Sequence, residues 1–290
     1  MNTEKFSMLI CAYKDSFLMR WPKEMRKWIA IKQFQDCWDV NASDFATMLE
    51  SAMNAIMPVS MQFKMGAKGG FLNPSEKLIR LAKEHPQVVQ KHFLMLFAEQ
   101  KNLKDRIEEF RTMSQIFSLE PDANMCFSAN FSINLLGLRY PDKYYICWTG
   151  SCHSVANKVN IFYTGGDPTY NRIENLHICE QICNQLRNDT EIKAMFDQVK
   201  TNACWPDDLL HILTADFISF VVDFRPTNRI LQDDNINIQL SMPLQWIKSE
   251  AYTTNNFLQD VFISEQQLQK LIAILRRKKN IILQGPPGVG

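Results

Sequence analysis

The feature that most constrains the fold is a short apolar strand that leads directly into a glycine-rich loop. Residues 281–284 read Ile-Ile-Leu-Gln, and residues 285–290 read Gly-Pro-Pro-Gly-Val-Gly. Glycines at this spacing let successive backbone N–H groups face a phosphate at the start of a helix. The pattern therefore predicts the opening of a phosphate-binding loop of the form Gly-x-x-x-x-Gly-Lys-Ser/Thr.

A helix is predicted directly before that strand. Ser264 and Gln267 have the spacing of a capping box, and the apolar residues that follow recur at helical spacing. Four consecutive basic residues, 276–279, occupy the last turn, where positive charge stabilises a helix dipole. Helix, strand and loop together indicate the start of an α/β nucleotide-binding domain.

The loop residues are the predicted cofactor-binding set. The Lys and the Ser/Thr that complete such a loop are not among the 290 residues. We therefore expect the ligand, ATP or GTP with Mg²⁺, to be bound productively only by a longer protein, and we assign no catalytic residue here. The predicted phosphate-binding residues are Gly285, Pro286, Pro287, Gly288, Val289 and Gly290.

Upstream of the loop, the sequence predicts a mainly α fold with minor β structure. Helix-start residues, such as Asp44 and either Asn188 or Asp189, precede segments in which apolar residues recur every three or four positions. We predict a helical subdomain over residues 1–118 and a second, mostly helical subdomain over 119–225, with one short strand near 144–148. Residues 226–256 are predicted to be a linker, and 257–290 the start of the P-loop domain.

Composition and charge indicate whether nucleic acid or a membrane could be a partner of the chain. The net charge is +1, but residues 1–32 contain seven Lys/Arg against three Asp/Glu. A basic face is compatible with nucleic-acid binding and equally with ordinary solvated helices. Arg26, Lys27 and Lys104 are the candidate phosphate contacts. No apolar run is long enough to cross a membrane, and no export signal is visible, so we expect a cytoplasmic protein.

Eight cysteines raise the question of a metal site. Cys147, Cys152 and His153 form one candidate group, and His177, Cys179 and Cys183 form another. Neither group contains Cys-x-x-Cys, and unpaired cysteines are commonly buried as small apolar residues. We therefore assign no metal ligand from the sequence.

Two patterns resemble nuclease motifs. Pro141-Asp142 and Glu191-Ile192-Lys193 mimic a PD…ExK core, which requires its acidic residues on adjacent strands. Here the first pair is predicted to lie in a turn and Glu191 in the first turn of a helix. Asp207, Asp208 and His211 have ligand chemistry, but the aspartates are predicted to occupy a helix N-terminus, which carboxylates favour. Neither pattern is assigned a function.

The terminal segment resembles a known family. Residues 257–290 are similar to the start of the AAA+ module of McrB-type proteins, the motor subunits of modification-dependent restriction systems, and Asn280 onward follows their Asn-Ile-Ile-Leu-x-Gly-Pro-Pro-Gly-Val-Gly pattern. Residues 38–49, 140–146 and 210–222 resemble, more loosely, the amino-terminal region of some of these proteins.

That resemblance implies a function. McrB-type proteins form homo-oligomeric rings, bind ATP or GTP, act with an McrC-like nuclease subunit, and select duplex DNA through an amino-terminal domain. The resemblance thus implies a recognition region followed by a partial nucleotide-binding loop, in an antiphage restriction system. The alternative is a stand-alone helical interaction or assembly module with neither nucleotide nor nucleic-acid function.

Overall fold

The computed structural model describes residues 1–65, 72–119, 123–164 and 168–224, together with a few residues between 264 and 272. Within those ranges the chain is helical and contains no β-strand, which confirms the mainly α prediction. The helices, with one 3₁₀ turn at Met57–Val59, are α1 Thr3–Glu24, α2 Arg26–Cys37, α3 Phe45–Ile56, α4 Leu72–Glu84, α5 Pro86–Leu96, α6 Leu103–Arg111, α7 Met113–Ile116, α8 Ala123–Cys126, α9 Ala129–Arg139, α10 Thr149–Lys158, α11 Pro168–Asn188, α12 Thr190–Val199 and α13 His211–Asp223.

Several helices begin where a side-chain cap predicts them to begin. The Asp44 carboxylate accepts a hydrogen bond from the backbone N–H of Thr47 and caps α3. Asp189 accepts from the N–H groups of Glu191 and Ile192 and caps α12. Both positions are confirmed, because a carboxylate there satisfies N–H groups that have no partner within the helix.

The short strand predicted near residues 144–148 is wrong. Tyr145, Ile146 and Cys147 are extended and buried, but no neighbouring strand pairs with them in the described ranges. The segment instead crosses α9 at Gly137, where an added Cβ would lie 2.9 Å from Ile146 Cγ1 and 3.0 Å from the Ile146 backbone nitrogen. The β-favouring residues therefore pack against a helix, and α10, which the sequence pattern does not predict, begins at Thr149.

One hydrophobic core contains residues from both predicted helical subdomains, 1–118 and 119–225. Residues Met1–Pro226 form a compact unit. In it α1, α2 and α12 meet through aromatic rings, with the Trp21 and Trp28 centroids 5.0 Å apart and the Trp28 and Phe196 centroids 5.4 Å apart.

None of the described helices combines the length and the apolar character that crossing a bilayer requires.

The second unit, Thr227–Gly290, is described at only a few positions. Glu265, Gln266, residues 268–270 and Ile272 are helical, as the capping box at Ser264 predicts. The predicted linker at 226–256, the strand at 281–284 and the loop at 285–290 lie outside the described residues.

Candidate functional site

The three predicted phosphate contacts differ in how far their side chains are exposed to solvent. Arg26 is exposed at the start of α2, and Lys104 is exposed on α6, where its ammonium lies 3.8 Å from Glu108. Lys27 is only 1% exposed. The prediction for Lys27 is therefore wrong, because its ammonium is used inside the protein. The six loop residues Gly285 to Gly290 lie outside the described ranges.

The buried ammonium of Lys27 belongs to an ion network that joins α1, α2 and α13. Asp216, 1% exposed, accepts from Lys27 Nζ at 2.5 Å, from Tyr13 Oη at 2.6 Å and from Arg20 Nη2 at 3.0 Å. Glu24 lies 2.9 Å from the same Lys27 nitrogen. The two cations and two carboxylates balance, so the network neutralises its own charge.

The surroundings of Asp216 determine its protonation state. Burial alone would raise the pKa of Asp216, but the charges of Lys27 and Arg20, with hydrogen bonds from Lys27 and Tyr13, hold it below the usual value. The Tyr13 pKa is raised well above its usual value by burial and by the neighbouring carboxylate. Asp216 is thus an anion and Tyr13 a neutral donor at physiological pH.

An open groove of about 650 Å³ lies over this network. Residues of α1 and α13 and of the chain after α3 line it, and Arg20, Glu24 and Lys27 of the network form part of its wall. Lys23 and Lys64 add two more cations, and Lys64 is 2.8 Å from Asp223. The lining residues are Met19, Arg20, Lys23, Glu24, Lys27, Met61, Gln62, Lys64, Ser219, Phe220, Asp223 and Phe224.

The groove combines positive charge with exposed apolar side chains. Met19 is 81% exposed and Met61 is 52% exposed. One guanidinium nitrogen of Arg20, Nη1, is buried with no hydrogen-bond partner. Flexible methionines beside cations suit a ligand that has both an anionic and an apolar part. This groove is therefore a candidate surface for binding such a ligand.

Asp207 is a second buried aspartate with a different environment. It precedes α13 with φ of 52°, and its carboxylate accepts from the N–H groups of Ile212 and Leu213 and from Trp28 Nε1. Burial raises the pKa of Asp207 to about 7, although these three donors favour the ionised form. The prediction that Asp207 and Asp208 lie in the first turn is wrong, since α13 begins at His211.

Asp142, Glu191 and His211, three residues of the nuclease-like patterns, each contact a different partner. Asp142 accepts from Trp205 Nε1 at 3.2 Å, in the turn predicted for it. Glu191 pairs with Lys14 at 2.7 Å, in the first turn of α12. His211 packs its ring 4.1 Å from that of Tyr145.

The two cysteine groups are rearranged in the fold. The sulfurs of Cys147, Cys152 and Cys179 lie within 4.8 Å of one another, and all three residues are buried. His153 instead stacks on Tyr163 with ring centroids 4.1 Å apart, and the thiol of Cys183 donates to the Leu209 carbonyl oxygen at 3.3 Å. The trio combines two residues of the first predicted group with one of the second, which spacing along the chain does not indicate.

Comparison with known proteins gives one short similarity. The chain is 51% identical over 43 residues to the type IV methyl-directed restriction enzyme EcoKMcrB subunit of Escherichia coli strain K12. The match covers 15% of this chain and 9% of that protein. No protein-family model matches the chain, and no solved structure matches it. Over those 43 residues the chain is therefore similar to a restriction-enzyme subunit, as the sequence resemblance implies.

Proposed function

We propose that this chain is the recognition region, with the first part of the nucleotide-binding loop, of an McrB-like AAA+ protein in a modification-dependent restriction system. The observation that carries this proposal is the 51% identity over 43 residues to a methyl-directed restriction subunit. Because that segment is 9% of the relative's length, the activity of the whole protein enters only as part of the proposal. Under it, residues 285–290 contribute to binding ATP or GTP with Mg²⁺, and an McrC-like nuclease and a homo-oligomeric ring are the expected partners.

The described helical unit would then contact duplex DNA. Phosphate contacts need exposed cations, and Lys23 and Arg26 provide two of them, three residues apart at the junction of α1 and α2. Lys104 is the third exposed candidate, on α6. Lys23 also lines the groove, so DNA seated at this junction would place its backbone beside the cationic wall.

Salt-dependent DNA binding tests this role. We expect fluorescence anisotropy to show binding of a labelled duplex carrying methylated cytosine, with weaker binding to the unmodified duplex. Each phosphate neutralised contributes about 0.9 to the slope of log affinity against log salt, so affinity should fall steeply between 50 and 200 mM salt. No binding at 50 mM salt would remove DNA recognition from the proposal.

Charge-reversal variants locate the surface. Lys23→Glu with Arg26→Glu should weaken binding at least tenfold and reduce the salt slope by about 2, since two phosphate contacts are lost. The matched control is Lys83→Glu, which removes an exposed lysine of α4 that pairs with Glu50 at 2.8 Å. Equal weakening by both variants would show a non-specific charge effect and would contradict this location.

The nucleotide part of the proposal is tested in the source gene and its product. We expect codons for Lys and for Ser or Thr to follow Gly290 in the gene. We also expect the protein that includes them to bind GTP or ATP, and its Lys→Ala variant to lose that binding. Other residues at those positions would contradict the P-loop assignment, independently of the DNA result.

The alternative function, an assembly module without nucleic-acid contact, is favoured by the exposed methionines of the groove. Met19 and Met61 present apolar surface that DNA phosphates would not use. Under this alternative, Met19→Ser should weaken self-association measured by analytical ultracentrifugation. Neither the unaltered chain nor its Lys23→Glu variant should bind DNA. The same DNA-binding assay therefore discriminates between the two functions.

A further inference from the structure

We propose that Cys147, Cys152 and Cys179 form a zinc site in the interior of the helical unit. Three elements bring the thiols together: the extended segment before α10 carries Cys147, the first turn of α10 carries Cys152, and the middle of α11 carries Cys179. All three side chains are inaccessible, with 4% of Cys147 exposed and none of the other two. No other trio of His, Cys, Asp or Glu in the described ranges converges in this way.

The separations between sulfurs fit a zinc ion. Zinc binds thiolate sulfur at about 2.3 Å in a tetrahedral arrangement, which places two such sulfurs roughly 3.8 Å apart. The Cys152 and Cys179 sulfurs are 3.7 Å apart, and Cys147 Sγ lies within 4.8 Å of both. Two thiols in simple contact would show the same distance. What separates this site from ordinary packing is that three sulfurs converge on one point from different elements.

Charge favours zinc within the class of thiophilic ions. Three thiolates carry three negative charges, and zinc supplies two positive charges. Arg172 of α11 is close enough to act electrostatically on Cys147 and Cys152, and its Nε is buried without a hydrogen-bond partner. Zn²⁺ with this guanidinium would balance the three thiolates, whereas Cu⁺ would leave a net negative charge in a buried site.

Zinc sites that stabilise structure have four ligands, and the trio supplies three of them. His153 follows Cys152 in α10, but its ring stacks on Tyr163 and does not converge with the three sulfurs. The fourth position of the zinc ion would therefore be taken by water or by a ligand from outside the trio. The sequence signal was present but incomplete: Cys147 and Cys152 have a spacing typical of zinc ligands, and the third cysteine lies 27 residues further on.

Metal analysis of the chain purified with reductant tests the proposal. We expect one zinc per chain by plasma mass spectrometry, released stoichiometrically when a mercurial reagent modifies the thiols. Replacement with Co²⁺ should give the near-ultraviolet charge-transfer band of cobalt–thiolate bonds. Folded, reduced protein with less than a tenth of an equivalent of metal, and without that band after Co²⁺ is added, would overturn the proposal. Stoichiometric copper in place of zinc would overturn the choice of ion.

Variants show whether these particular thiols hold the metal. Cys152→Ser and Cys179→Ser should each lower the zinc content at least fivefold, because serine is a poor zinc ligand. The matched control is Cys204→Ser, which changes another buried cysteine outside the trio and should keep one zinc per chain. Full zinc content in a Cys152→Ser, Cys179→Ser double variant would overturn the assignment. If both variants fail to fold, the cobalt spectrum of the unaltered chain decides the question.

Discussion

Two buried polar clusters in the helical unit differ in how their charge is balanced. Around Asp216, Lys27 and Arg20 supply the opposite charge, and Glu24 completes the balance. Around Cys147, Cys152 and Cys179, three groups of the same kind converge, with one arginine nearby. A cluster of the first kind is complete with its own side chains. A cluster of the second kind, once ionised, requires a cation from outside the chain, because like charges repel strongly where water is excluded.

The pKa values of two buried aspartates show the effect of that difference. Asp216, which has two cations, keeps a pKa below its usual value despite burial. Asp207, which has only N–H donors, has a pKa raised by burial to about 7. Both carboxylates accept three hydrogen bonds from the protein, so neighbouring charges distinguish their pKa values: two cations lie beside Asp216, whereas the negative charge of Asp142 acts on Asp207.

Removing the central anion of the paired network should have the largest effect on stability. Asp216→Ala leaves the ammonium of Lys27 buried, and we expect the free energy of unfolding to fall by about 3–5 kcal/mol. Urea denaturation followed by circular dichroism measures this loss. The control is Asp208→Ala, because Asp208 is 81% exposed and lies 3.9 Å from Lys200. A loss below 1 kcal/mol for Asp216→Ala would show that solvent reaches Lys27.

The pH dependence of stability tests the aspartate that has no cation. The pKa of Asp207 is higher in the folded state than its usual value of 3.8, so the folded state binds the proton more tightly. The contribution of Asp207 to the free energy of unfolding is therefore greatest at low pH, and it is lost as pH rises through about 7. Between pH 5 and 7 the free energy of unfolding should fall by about 2–3 kcal/mol relative to Asp207→Asn.

The measurement compares the unaltered chain with Asp207→Asn, because the contributions of the other titrating groups cancel in the difference between the two proteins. Asp207→Asn should be less stable at pH 5, since an amide cannot accept from all three donors. Its stability should be closer to that of the unaltered chain at pH 8. Parallel pH profiles for the two proteins would show that the pKa of Asp207 is not raised.

A larger residue at position 137 should disturb the segment that carries Cys147. In Gly137→Ala the new Cβ would lie 2.9 Å from Ile146 Cγ1 and 3.0 Å from the backbone carbonyl carbon of Tyr145, so the extended segment must move. Overpacking of this kind costs about 1–3 kcal/mol. We expect a lower thermal midpoint and weaker zinc retention against a competing chelator.

The matched control for that substitution is Gly150→Ala. An added Cβ at Gly150 meets only the Trp148 ring, at 3.6 Å, which is ordinary contact. It also lies two residues from Cys152, so it tests whether any change near the trio affects the metal. Equal zinc loss in both variants would contradict a specific role for the close contact at Gly137.

Local features of the sequence predicted several helix starts, although not those of α10 and α13. Asp44 and Asp189 identify helix starts because a cap depends on residues within one turn. The strand near 144–148 was predicted wrongly because aromatic and β-branched residues favour both strands and extended segments packed on helices. Only the fold reveals that Gly137 allows this segment to pack closely against α9.

Local sequence patterns could not predict the two buried polar clusters. Lys27 and Asp216 are 189 residues apart, and neither residue type indicates an internal pair. Lys27 was predicted to contact DNA phosphates because it lies in a basic segment of the chain. Cys179 joins Cys147 and Cys152 only through the packing of α10 against α11. Long-range pairing of polar groups must therefore be read from the structure.

An exposed ion pair at the same groove provides the smallest predicted effect. Lys64 and Asp223 are 2.8 Å apart, but Asp223 is 66% exposed. Water screens such a pair, so Asp223→Ala should change the free energy of unfolding by less than about 1 kcal/mol, and less still in 0.5 M salt. A loss comparable to that of Asp216→Ala would show that the groove is closed to solvent. Charge balance inside the protein would then extend to the groove wall, and Lys64 would be unavailable to a partner.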